Sequence, residues 1–106
     1  MILDNIQCLL KERATLDDND SDAVDKCCKK VVNMLSEDIN ATISFMDTEC
    51  TEDEFSWISE VFDEIVEKTQ SQEFIDCLYR VAEKYPVECD KYNIYHFIEE
   101  SKKFLN

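Results

Sequence analysis

The residue types in this chain that could do chemistry are six cysteines, one histidine, and 25 Asp and Glu against 11 Lys and Arg. The cysteines (Cys8, Cys27, Cys28, Cys50, Cys77, Cys89) form no Cys-x-x-Cys pair, and His96 is the single histidine, so the usual four-ligand zinc spacing is missing. Cys27 and Cys28 are neighbours, and a disulfide between them would be strained inside a helix. All six are read as reduced thiols, mostly small core residues. Asp18-x-Asp20-x-Asp22 begins like a calcium loop. Such loops need Gly at the sixth position and Glu at the twelfth, where this chain has Ala23 and Lys29, so a cap-rich loop is expected instead. A ferritin-like metal site would want Glu three residues before His96, and that residue is Asn93. His96 is therefore expected on the surface beside Glu99, Glu100 and Lys103. Nucleophiles on strained turns usually need Gly, which the chain lacks. A Cys–His pair assembled only in space stays open. The expectation is a protein that is not an enzyme and uses no metal or cofactor.

Charge is the second kind of chemistry. A formal net of −14 exceeds the magnitude of about 2–8 that keeps a small domain soluble. Residues 36–67 carry eleven acids (Glu37, Asp38, Asp47, Glu49, Glu52, Asp53, Glu54, Glu60, Asp63, Glu64, Glu67) and no Lys or Arg, whereas residues 1–35 and 68–106 net only −2 and −1. Concentrated like charge repels itself and costs stability. It is either a solvated acidic surface or a surface toward which a basic partner is steered. Its sign disfavours direct contact with nucleic acid phosphates and with anionic membranes.

The elements that must position these residues are helical. Leu, Ile, Val and Phe make up 29 of 106 residues, too many for a disordered chain. With no Gly and one Pro, Gly-cradled phosphate sites and tight Gly hairpins are excluded. No apolar run approaches the roughly 18 residues of a membrane span. The start Met1-Ile2-Leu3-Asp4 has no basic region of the secretory kind, so the chain is expected in the cytoplasm.

Apolar residues recur with a 3.6-residue period throughout. The first predicted helix runs from Leu3 to about Ala14, with Ile2, Ile6, Leu9 and Leu10 inward. After a polar loop, Ser21 or Asp22 starts a stripe of Val24, Cys28, Val31, Leu35, Ile39, Thr42 and Met46. That stripe fits one long helix or two divided near Ser36. Thr51-Glu52-Asp53-Glu54 is a capping box, opening a helix to about Lys68 that buries Phe55, Ile58, Phe62, Ile65 and Val66. A fourth helix starts at Ser71 or Gln72, buries Phe74, Ile75, Leu78, Val81, Ala82 and Tyr85, and stops at Pro86. Asn93 is the expected cap of the last helix, whose stripe is Ile94, Phe97, Ile98, Ser101, Phe104 and Leu105. The fold class is thus all-α: a single domain over residues 1–106, with about five amphipathic helices in a compact bundle or stacked hairpins.

Structure and charge combine on the third of these helices. Asp53, Glu60, Asp63, Glu64 and Glu67 cluster within about 110° of arc, opposite the apolar stripe, at 100° per residue. Trp57 projects to the border between the two faces. A large aromatic beside charge is a favoured interface anchor, and the alternative is that another helix covers it. Tyr79, similarly off its stripe, carries the same two alternatives. The candidate partner-binding residues are therefore Asp53, Trp57, Glu60, Asp63, Glu64 and Glu67.

The segment Ser56-Trp57-Ile58-Ser59-Glu60-Val61-Phe62-Asp63-Glu64-Ile65, with Lys68-Thr69-Gln70-Ser71-Gln72-Glu73-Phe74-Ile75, Lys84-Tyr85-Pro86 and Tyr92-Asn93-Ile94, resembles small helical immunity proteins. These belong to bacterial contact-dependent growth inhibition and related polymorphic toxin systems. The resemblance covers about half of the chain and includes no catalytic motif. It implies a cytoplasmic, non-enzymatic protein that binds and neutralises a cognate toxin. Such toxins are often nucleases with basic substrate clefts, which acidic side chains can occupy in place of phosphates. Two other readings stay open: a nucleic-acid mimic acting on a defence nuclease, and a helical interaction adaptor. Oligomeric state is open as well.

Overall fold

In the absence of glycine, helix starts and stops fall to polar caps, and these set the architecture. The computed structural model describes residues 2–106, with side chains from Asn5 onward. Among the described residues there are eight α-helices: α1 (Ile2–Thr15), α2 (Ser21–Glu37), α3 (Ile39–Thr48), α4 (Glu52–Ile58), α5 (Phe62–Thr69), α6 (Gln72–Lys84), α7 (Pro86–Tyr92) and α8 (Ile94–Lys102). A 3-10 turn, Ser59–Val61, joins α4 to α5. The all-α expectation holds, with more and shorter helices than the five expected. The inward placement expected of Ile2 falls outside the described side chains.

The extra breaks have local causes. Asp38 leaves the helical region (φ −135°, ψ 91°), and its carboxylate accepts the Ala41 amide, so α2 and α3 are separate helices with Asp38 rather than Ser36 at the cap. The buried Thr42 hydroxyl donates to the Leu35 carbonyl at 2.7 Å and spans that break. Asp20, not Ser21 or Asp22, caps α2 through the Ala23 amide. The capping box at Thr51 forms as the sequence predicts, and Ser71 caps α6. Pro86 stops α6 and also opens α7 from its first turn, where a missing N–H costs nothing. Asn93 is left-handed (φ 57°) with no side-chain cap, closing α7 rather than capping α8. Gln70 takes the same conformation at the end of α5 (φ 52°). In a glycine-free chain, polar side chains must fill these positions.

The core is one continuous cluster. Phe55, Phe62 and Phe74 stack through it with ring centroids 5.5 and 6.5 Å apart. Around it α1 lies along α2, α3 along α6, and α5 along α8, while α4 packs on α1 and α7. The Cα radius of gyration is 12.7 Å, against about 13 Å expected for a compact chain of this length. No helix among the described residues is long and apolar enough to cross a membrane.

The third helix of the sequence reading needs correction. It is two helices, because the chain tightens at Ser59–Val61. The Ser59 hydroxyl donates back to the Ser56 carbonyl at 2.5 Å. A 3-10 turn advances about 120° per residue instead of 100°, and Ile58, Val61 and Phe62, in and on either side of it, are all buried in the core. The last helix also departs from its predicted stripe. Ile94, Ile98 and Ser101 are buried, but Phe97 and Phe104 are 40% and 38% exposed.

Candidate functional site

The predicted acidic arc from Asp53 to Glu67 runs over two helices joined by the 3-10 turn. Helix α4, which carries Asp53, packs on α1 and α7, whereas α5, which carries Asp63, Glu64 and Glu67, packs on α2 and α8. Asp53 is exposed in the first turn of α4, where the helix dipole favours a carboxylate. Asp63 is half-buried, and its carboxylate accepts the Glu64 amide at 2.9 Å. Glu64 and Glu67 are exposed on α5. Glu60, in the 3-10 turn between α4 and α5, lines a depression together with Asp53.

Glu60 is not a spare charge. The buried Arg13 guanidinium forms a bidentate pair with it, Nε to Oε1 at 3.0 Å and Nη2 to Oε2 at 2.9 Å. Arg13 also reaches Asp18 at 3.1 Å. Hydrogen bonding to Glu60, stronger than the opposing effect of burial, raises the Arg13 pKa. The same guanidinium lies over the Trp57 ring, 4.8 Å from its centroid. Of the eleven mid-chain acids, three more besides Glu60 and Asp63 have internal partners. Asp38 caps α3, Glu54 completes the capping box, and Asp47 pairs with Arg80 at 2.9 Å.

Trp57 is half-buried and stands between two depressions, both lined by Ala14, Asp53 and Trp57. The larger, about 550 Å³, brings Asp53, Ser56, Trp57 and Glu60 together with Tyr92 from the end of α7 and Phe97 from α8. Tyr92 and Phe97 line this candidate site, and the sequence reading placed neither of them there. Phe97 was placed in the buried stripe of its helix because its spacing from Ile94, Ser101 and Phe104 fits that stripe, and its 40% exposure is set by which neighbours α8 packs against. Tyr92 gave no signal, because the short helix ending there was not anticipated. Another depression, about 490 Å³ between α1 and α2, is lined by Cys8, Leu9, Lys30, Asn33, Met34 and Glu37, with no aromatic residue and balanced charge.

The remaining candidates take structural places. All six cysteines are free thiols; Cys27, Cys50, Cys77 and Cys89 are buried, Cys28 is half-buried and Cys8 is exposed. Burial pushes the Cys77 thiol up to about 12, far from the thiolate that nucleophilic chemistry requires. His96 is exposed, its Nε2 4.0 Å from Glu100. Asp18 and Asp20 are engaged by Arg13 and by the α2 cap, and no group of three or more His, Cys, Asp and Glu suited to a metal occurs among the described residues. Tyr79 is half-buried and its hydroxyl donates to Glu99 at 2.6 Å, holding that carboxyl below its usual range.

No family model, no curated protein and no solved structure matches this chain.

Proposed function

We propose that this protein is an acidic immunity-type inhibitor. It binds a cationic toxin domain, of the nuclease class, and occludes the toxin's substrate-binding surface in the cytoplasm of the producing cell. The observation that carries this reading is the groove where Trp57, Tyr92 and Phe97 meet the carboxylates of Asp53 and Glu60. Aromatic anchors beside charge are how tight interfaces concentrate their binding energy. The net of −14 supplies the steering field, and a nuclease cleft is cationic because it must hold phosphates. Asp53, Asp63, Glu64 and Glu67 supply the charged contacts, Trp57 the anchor. Glu60 contributes through its hold on Arg13 beneath that anchor.

Co-expression tests this directly. Cells producing the toxic nuclease domain that this chain binds should grow when the chain is present and stop when it is absent. The purified pair should form a complex that no longer cleaves nucleic acid. Growth arrest with the chain present at equal abundance, and no complex, would contradict the proposal.

A further inference from the structure

The groove between α4, α7 and α8 says more about its occupant than its charge does. Three aromatic rings from three different helices, Trp57, Tyr92 and Phe97, converge on it, and Tyr92 and Phe97 are left 45% and 40% exposed. Asp53 lies in the same wall and makes no ion pair among the described residues. A second copy of this chain would bring another −14 against the first. A neutral apolar segment would cover Asp53 and leave its charge desolvated. A group that satisfies both walls must be flat, weakly hydrated and cationic, and among side chains that is the guanidinium.

The molecule already contains this recognition once. Arg13 lies over Trp57 at 4.8 Å and grips Glu60 with two parallel hydrogen bonds. Beside the groove, the Lys91 ammonium stands 5.2 Å from the Tyr92 ring centroid and feels the Asp53 charge. We infer that this groove is the seat of an arginine side chain of the partner protein, which stacks among Trp57, Tyr92 and Phe97, pairs with Asp53 and displaces Lys91. This rests on the reading that the partner is cationic and narrows the contact to one side-chain type.

The test uses three short blocked peptides of the form Gly-X-Gly, where X is arginine, lysine or citrulline. Each is titrated into the full chain and followed by the fluorescence of its single tryptophan and by amide NMR shifts. The arginine peptide should shift Trp57 and the amides of Asp53, Tyr92 and Phe97. Lysine should bind about two- to fivefold more weakly, and citrulline should give no saturable shift. Asp53→Asn and Phe97→Ser, at exposed positions that leave the thermal midpoint in place, should each weaken arginine binding about two- to fivefold. Lys91→Ala should strengthen it, while Lys68→Ala on α5 should not. Equal binding of arginine and lysine, shifts spread over Glu64 and Glu67, or insensitivity to Asp53→Asn and Phe97→Ser would overturn the assignment. A chain that seats arginine here yet fails to protect cells would refute the toxin-inhibitor function and leave this site standing. Protection and toxin affinity unchanged in both variants would do the opposite.

Discussion

Arg13 holds together parts of the molecule that its position in the sequence gives no hint of. Its guanidinium is buried, paired with Glu60 and Asp18, and pressed on Trp57. Removing Glu60 leaves a buried cation short of a partner, so Glu60→Ala should lower unfolding stability by about 1–3 kcal/mol, measured by urea titration. Replacing both members by apolar residues, Arg13→Met with Glu60→Met, should recover most of that loss. At this scale the sequence was half legible. It marked Trp57 as a border residue and Glu60 as a surface acid, but nothing local couples either of them to Arg13, 47 residues before Glu60. Asp47 is a similar case across α3 and α6. The Arg80 guanidinium holds the Asp47 carboxyl below its ordinary value of 3.8. A depressed carboxyl stabilises the fold above the unfolded-state value and loses that contribution as pH falls through the folded one. The stability difference between the wild type and Asp47→Asn should therefore be present at neutral pH and shrink below pH 3.8, which acid-unfolding curves of the two proteins can check.

Among the elements, boundaries carried by a side-chain hydrogen bond could be read in advance, and those set by packing could not. Thr51 with Glu54, and Ser71, announce their helices because cap chemistry is local. Thr51→Ala should accordingly cost about 1 kcal/mol in thermal or chemical unfolding and leave the groove residues in place, since α4 is held by Phe55 and Ile58. Pro86 was legible as a stop, but its second role as the first residue of α7 was not. The tightened turn at Ser59–Val61 had no sequence signal either. Ile58, Val61 and Phe62 share a face at i, i+3 and i+4 in a straight helix as well, so their spacing did not announce it. The turn puts Asp53 on α4 and Asp63, Glu64 and Glu67 on α5, helices with different neighbours that a straight-helix projection treated as one.

For the whole molecule, the dominant quantity is the imbalance of 25 acids against 11 bases. Internal pairing and hydrogen bonding to the backbone engage five of the eleven mid-chain acids, Asp38, Asp47, Glu54, Glu60 and Asp63. Among the described residues Asp63 has no cationic partner, and Asp53 at the groove and Glu64 and Glu67 on α5 make no ion pair, so a field remains after the fold has taken what it uses. Such a field acts mainly on association rates, which depend on ionic strength as the groove's apolar contacts do not. The most direct test of the proposal is the association rate of this protein with a cationic nuclease toxin domain that it protects against, measured from low to high salt for the wild type and for Asp53→Lys/Asp63→Lys/Glu64→Lys. Glu60 is left intact so that folding is not disturbed. The wild-type rate should fall at least about tenfold across the series. The triple variant should start near the wild type's high-salt rate and change little. Equal rates and equal salt slopes for the two proteins, at unchanged thermal stability, would contradict the claim that this surface exists to meet a cationic partner.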